Sequence, residues 1–235
     1  MKINILRSDE RGKTELGWLH SRHSFSFGNY YNPKRTGFGL LMVFNDDIVE
    51  PSKGFGTHFH DNFEIISIVL EGALEHKDSI GNHGVINENE IQRISAGAGI
   101  SHSEFNHSSK EKVHFLQIWV APKEKNLKPT YEQKSFLGLK KNEFVKVVSR
   151  KNNEHSIYIN QAASFSIGDF DKSKEVSYKL ENSNNGAYVF VIDGDLDIED
   201  YNIKTSDSAE ITETGLLKIK ANEKSRILLI EVPLK

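Results

Sequence analysis

The chain contains no cysteine among its 235 residues. Disulfides, thiolate metal sites and cysteine nucleophiles are therefore excluded together, and any metal must sit on histidine, carboxylate and water. Long apolar runs are missing as well: no stretch of 18 apolar residues occurs that would read as a transmembrane helix. Residues 1–11 become charged too early for a secretory signal, so a cytoplasmic location is expected. Charge of one sign is scarce. With 30 Lys and Arg against 33 Asp and Glu, the net charge of -3 carries no electrostatic footprint for nucleic acid, and neither a nucleic acid nor a membrane is expected as a direct partner. The one Lys-rich stretch, residues 123–151, is interleaved with Glu and Asn and reads as a solvated linker. Helical periodicity is rare too, and residues 132–144 are the one place where a short helix is expected.

Strand signals fill the space that helices leave. Leu40 to Phe44 is a short apolar run, followed by turn chemistry at Asn45-Asp46-Asp47. Glu64 to Leu70 is rich in β-branched residues and closes at Glu71-Gly72. Residues 84–94 alternate around a turn at Asn87 to Glu90, and His114 to Val120 closes at Ala121-Pro122. Residues 121–141 hold Pro122, Pro129 and many lysines without a clear period. Strands resume at 156–159, 187–192, 216–219 and 227–232, and Asp193-Gly194 ends a strand much as Glu71-Gly72 does. The expected class is all-β, with barrel or sandwich units and a weak internal repeat. The expected division is 1–135, including a linker from about 121, and 136–235.

Two segments concentrate metal-ligating side chains. Gly54-Phe55-Gly56-Thr57-His58-Phe59-His60 carries one pair, and Gly97-Ala98-Gly99-Ile100-Ser101-His102-Ser103-Glu104 carries the other. Residues two apart on a strand share a face, so His58 pairs with His60 and His102 with Glu104. Facing strands would bring three imidazoles and a carboxylate to one point. That donor set suits iron, manganese, nickel, copper or zinc and leaves coordination positions open for chemistry. A single His-x-His is matched equally well by hydrogen-bonded histidines on a half-buried strand. Two such pairs, each behind a Gly-rich turn, are far more specific.

These strings resemble a known family. Gly54 to Gly72, GFGTHFHDNFEIISIVLEG, is similar to the first cupin motif, and Gly97 to Asn106, GAGISHSEFN, to the second. Gly17 to Pro33, GWLHSRHSFSFGNYYNP, and Leu116 to Gln133, LQIWVAPKEKNLKPTYEQ, resemble the pirin family, closest to its bacterial members. The resemblance implies two jelly-roll-like cupin barrels packed face to face, with few short helices, a metal in the N-terminal barrel and a degenerate barrel without one at the C-terminus. It implies one divalent ion, taken as Fe(II), on His58, His60, His102 and Glu104, with nickel, zinc, manganese or copper able to replace it in purified protein. It further implies a monomer that opens a flavonol such as quercetin with dioxygen, Glu104 serving as the catalytic base. Other family members regulate transcription or enzymes, so a metal- or redox-dependent regulator with a protein partner is the alternative.

Two departures stand out. Ordinary cupins draw their carboxylate from the first motif, where Glu64 stands here; pirins use the second-motif Glu, and spacing alone leaves Glu64 open. Gly97 replaces a common proline, which should loosen that turn. Among the remaining residues, Phe27, Phe55 and Phe63 are candidates for an apolar pocket wall, while Phe59 should face away from the metal. His20 and His23 read as packed and hydrogen-bonded. His76, His83, His107 and His114 show no partner pattern, and Asp46 and Asp47 are expected to serve their turn. His155 is the only histidine of the C-terminal half.

Overall fold

The structure, a computed structural model, describes residues 1–151 and 155–234. In chain order the strands are β1 (Lys2–Leu6), β2 (Gly12–Glu15), β3 (Leu19–His23), β4 (Leu41–Val49), β5 (Gly54–His60), β6 (Glu64–Glu71), β7 (Ala73–Asp78), β8 (His83–Asn87), β9 (Glu90–Ser95), β10 (Ile100–Asn106) and β11 (Val113–Val120). They continue as β12 (Thr130–Ser135), β13 (Phe144–Ser149), β14 (Ile157–Tyr158), β15 (Ser164–Phe170), β16 (Glu175–Lys179), β17 (Asn185–Asp193), β18 (Asp195–Ile198), β19 (Tyr201–Lys204), β20 (Ser208–Thr212), β21 (Leu216–Ala221) and β22 (Ser225–Pro233). Each half of the chain makes one seven-stranded and one four-stranded sheet. The first half has orders β12-β9-β6-β11-β4-β3-β2 and β5-β10-β7-β8; the second has β1-β20-β17-β22-β15-β13-β14 and β16-β21-β18-β19. These are two cupin barrels, each a large sheet closed against a small one.

The two large sheets pack against each other, and this decides the sequence of their central strands. Along β6, Ile66 and Ile68 join an apolar cluster shared with Phe165, Ile167, Phe190, Leu228 and Ile230 of the second barrel. Ile65 and Val69 face inward, into the first barrel. Strand β11 divides in the same way, with Leu116 and Ile118 outward and Phe115 inward. A sheet buried on both faces must be largely apolar at successive positions, which is why these strands read as hydrophobic runs interrupted at Ser67 and Gln117 between their inward and outward apolar residues. Phe44 meets Tyr188 and Phe190 across the junction, each with ring centroids 4.9 Å apart, and the Tyr188 hydroxyl shares a 2.7 Å hydrogen bond with Ser24.

Two local expectations are corrected. No α-helix occurs among the described residues; Ser8–Glu10 is a single 3₁₀ turn. Residues 130–135 instead extend as β12 and cover the edge of β9 from Thr130↔Ser95 to Ser135↔Glu90. Edge pairing and the inward-facing ring of Tyr131 outweigh a helical propensity that no amphipathic pattern supports. Asn45, Asp46 and Asp47 are not a turn either. They lie within β4, paired with β11 and β3, because each finds a partner for its polar group: Asn45 binds His23, Asp46 binds His114 and Asp47 accepts from Ser21. Strand β1, from the start of the chain, pairs antiparallel with β20 in the large sheet of the second barrel.

Phe190 is almost fully buried and is touched from both sides by Phe44 and the Arg11 guanidinium. Phe190→Ala is expected to cost about 3–5 kcal/mol of unfolding free energy, read from the denaturant midpoint. A loss below about 1 kcal/mol would show that the barrels do not depend on this junction.

Candidate metal centre

Strands β5 and β10 of the small sheet run antiparallel, with His58 directly opposite His102 and His60 opposite Ile100. Period-2 alternation turns all three imidazoles inward. Ring centroids are 4.5 Å apart for His58 and His102, 4.7 Å for His58 and His60, and 4.9 Å for His60 and His102. One nitrogen from each ring lies within 4.8 Å of the others. The register then slips, so that Glu104 faces Phe55 and an extra residue is accommodated on β5 near Gly56.

Two glycines make this geometry possible. At Gly54 a Cβ would stand 2.3 Å from the Glu104 carbonyl oxygen, so the two strands could not approach. At Gly97 the backbone has φ +50°, and a Cβ would collide with the Leu127 carbonyl at 2.0 Å. Proline, locked near φ -65°, cannot occupy that position. The turn is not loosened: Ala98 N–H donates to the same Leu127 carbonyl at 2.8 Å.

The donor atoms suit a metal. The His58 Nδ1–H donates to the Gly56 carbonyl at 2.8 Å, which leaves Nε2 as a lone pair. His60 Nε2 and both His102 nitrogens are buried without a hydrogen-bond partner. Buried polar atoms are normally satisfied, so unpartnered nitrogens on His60 and His102, beside the His58 lone pair, mark a cation's place. Burial first, then the neighbouring His102 and His58, push the His60 imidazole down to about 4, so it keeps its lone pair at neutral pH.

Glu104 is buried and fully engaged. Its Oε1 accepts from Gln92 Nε2 at 2.5 Å and Ser67 Oγ at 3.2 Å, and its Oε2 accepts from Gln117 Nε2 at 2.8 Å. Burial opposes the charge on this carboxyl, but His102 and the Gln117 hydrogen bond outweigh it and hold the group below the usual carboxylate range. Gln92, Ser67 and Gln117 come from β9, β6 and β11 and were not singled out from sequence. A signal for two of them was available: Ser67 stands between inward Ile65 and Val69, and Gln117 between inward Phe115 and Trp119. A polar residue at an inward position of a buried strand needs a polar partner.

Glu64 points the other way. Its Oε2 accepts from Ser95 Oγ at 2.8 Å and from the Asn160 backbone N–H of the second barrel at 3.3 Å. Strand parity places it on the barrel junction, opposite in direction to Ser67 and the imidazoles, so it is not part of the cluster.

A cleft of ≈ 170 Å³ reaches the imidazoles, walled by Phe27, Phe55 and Trp119 and floored by His58, His60 and Glu104. Phe59 is 64% exposed on the outer face, as alternation requires, and Phe63 packs behind Trp119 rather than in the cleft. Asp47, expected in a turn, lines the cleft instead, and burial pushes its carboxyl up to about 7. His114 binds Asp46, while His83 and His107 flank Glu75 at the surface. His76 was passed over in sequence, yet it is completely buried beside His102 and Glu104.

The folded chain keeps the Asp47 proton up to about pH 7, whereas the unfolded chain releases it near its ordinary value of 3.8. Metal-free protein therefore loses stability through this group as pH rises between those values. Asp47→Asn should raise the melting temperature of metal-free protein at pH 8 and leave it near wild type at pH 4. An equal shift at both pH values would refute the assignment.

Among the described residues no helix is long and apolar enough to cross a membrane. Residues 6–120 match the Pirin family model, and residues 146–232 match the model of the quercetinase C-terminal cupin domain. A quercetin 2,3-dioxygenase of Escherichia coli K12 is 37% identical over 231 residues, 98% of this chain and 99% of that protein. A putative quercetin 2,3-dioxygenase of Pasteurella multocida is 34% identical over 98% of this chain and 99% of its own. The crystal structure of the bacterial pirin YhhW from Escherichia coli in complex with nickel(II) superposes with a TM-score of 0.95 at 36% identity, covering 100% of both chains. Two family models in tandem, whole-length relatives and a shared double-barrel fold agree: this chain belongs to the pirin family of bicupins.

Proposed function

We propose that this chain is a metal-dependent dioxygenase that opens a flavonol such as quercetin with dioxygen, using one Fe(II) held by His58, His60, His102 and Glu104. The observation that carries the reading is the place of the donor set. Two imidazoles, His58 and His60, and the hydrogen-bonded Glu104 carboxylate lie at the floor of a cleft with aromatic walls, and His102 stands against them with unpartnered nitrogens. The names of the relatives support the substrate class, and the nickel-bound pirin supports a divalent ion on this fold. Three nitrogens and an oxygen accept nickel, zinc, manganese or copper as well, so the ion in a purified sample follows supply as much as preference. Iron is proposed as the working ion because the reaction consumes dioxygen.

When bound, the ion supplies Lewis acidity that lowers the pKa of a substrate hydroxyl. The residues do the rest. Phe27, Phe55 and Trp119 offer flat apolar surface to an aromatic ring and exclude water from it. Glu104, already ionised, takes the hydroxyl proton on a carboxylate oxygen as general base. Gln92, Ser67 and Gln117 keep that carboxylate aimed while it does so. Both atoms of dioxygen enter the products and one ring carbon leaves as carbon monoxide, so no further reductant is needed. The accessible cleft favours this reading over a regulator acting through a protein partner, which needs no route from solvent to the imidazoles.

Iron-loaded wild type is expected to consume oxygen with quercetin, measured by an oxygen electrode with metal content determined alongside. His58→Ala and Glu104→Gln should lose at least about 100-fold in kcat/KM. Glu64→Gln should retain one metal per chain, because Glu64 faces the barrel junction. Trp119→Ala should raise KM more than it lowers kcat. Absence of oxygen uptake by fully iron-loaded wild type with any flavonol would overturn the proposal.

A further inference from the structure

A second polar cluster touches the proposed metal ligands from the side away from the cleft. Strand β7 pairs with β10 so that His76 stands directly opposite Glu104 and Asp78 directly opposite His102. One ligand-type atom from each of His76, His102 and Glu104 lies within 4.8 Å of the others. His76 is 0% exposed, stacked on Tyr131 at 4.7 Å and tilted against His102 at 5.4 Å between ring centroids. The cleft does not reach it.

The hydrogen bonds around Asp78 fix which way His76 carries its proton. Asp78 Oδ1 accepts the backbone N–H groups of Ile80 at 3.0 Å and Asn82 at 2.9 Å, and Oδ2 accepts Asn82 Nδ2 at 2.8 Å. A carboxylate ringed by three donors acts as an acceptor towards its fourth neighbour, which is His76 Nε2 at 3.0 Å. His76 therefore donates from Nε2, and in the neutral ring Nδ1 is a bare lone pair. That atom is buried and has no partner. Leaving an acceptor unmet in the interior is costly. Glu104 is itself an ionised acceptor and has nothing to give. His102 can give an N–H, and both of its nitrogens are likewise unpartnered.

We propose that His76, backed by Asp78, is a positioning residue for the metal centre: its bare Nδ1 stands within 4.8 Å of the equally unpartnered His102 ring, without a hydrogen bond between them in this structure, and would take the His102 N–H when the ion is bound, fixing the tautomer that turns the other nitrogen, as a lone pair, towards His58 and His60. The inference rests on the ligand set given under the proposed function. It adds a chain from Asp78 through His76 and His102 to the metal, of the kind by which metal-bound histidines are held in orientation. The stacked Tyr131 ring and the Asp78 turn hold His76 rigidly, so the direction of its lone pair is set before any metal arrives.

The test uses the full-length protein stripped of metal and titrated with Ni(II) against a competing chelator. The Cu(II) electron paramagnetic resonance spectrum is recorded in parallel as a signature of ligand orientation. His76→Asn keeps an amide group near the Nδ1 position and can still accept from His102; His76→Gln places its amide near the Nε2 position and cannot. His76→Phe keeps the stacking on Tyr131 and removes both. Relative to wild type, Ni(II) affinity should fall about 10–100-fold in His76→Phe and His76→Gln, with altered Cu(II) hyperfine couplings. It should recover most of that loss in His76→Asn. Should His76→Phe fail to fold, the order of Asn above Gln decides alone. His102→Ala is the control for the ligand set. If His102→Ala loses metal while His76→Gln binds as tightly as His76→Asn or more so, the positioning role is wrong and the ligand set stands. If His102→Ala binds Ni(II) like wild type, the ligand set itself is wrong.

Discussion

An ionised carboxylate in the middle of a β-barrel is the constraint around which this molecule is arranged. Glu104 is 1% exposed, and an uncompensated buried charge would shift its protonation or unfold the barrel. Two amide side chains and a hydroxyl, each from a different strand of the large sheet, converge on its two oxygens. Three imidazoles from the small sheet lie on its other side. The large sheet thus aims the carboxylate, the small sheet supplies the nitrogens, and the centre exists only when the two sheets close on each other.

The large sheet can do this because its two faces have separate tasks. Outward residues of β6 and β11 weld the barrels together, and inward residues build the interior in layers. One apolar layer holds Leu74, Ile86, Val113 and Phe115; another holds Ile65, Ile94 and Ile100. Ser67, Gln117 and Glu104 form a polar band between them. The second barrel is built otherwise. Its interior is one continuous apolar cluster running through Val189, Val191, Leu217, Ile219 and Leu229. The same architecture serves there as a rigid backing for the sheet that carries Glu104's partners.

Glu64 and His76 show how strand parity decides a role that spacing leaves open. Glu64 is four residues from His60 along the chain, yet the bend between β5 and β6 and the parity of β6 send it to the barrel junction. His76 is far in sequence from both the His58–His60 and the His102–Glu104 pairs, yet the pairing of β7 with β10 sets it against Glu104. Distance along the chain is a poor guide in a barrel, where strands remote in sequence are neighbours through hydrogen bonds.

The sequence by itself determined the all-β class, the inward direction of His58 with His60 and of His102 with Glu104, the outward direction of Phe59 and membership of the pirin family. These depend on period-2 alternation and on local strings, which any strand preserves wherever it is placed. It did not reveal that Asn45 to Asp47 continue a strand, that residues 130–135 seal a sheet edge, or that β1 crosses to the second barrel. In each case a pairing with a distant strand outweighed the local propensity of the residues concerned. Nor could it reveal the three donors to Glu104, the direction of Glu64 or the burial of His76. Those are set by register between strands and by the packing of one sheet on another, and only the tertiary structure brings such residues into contact.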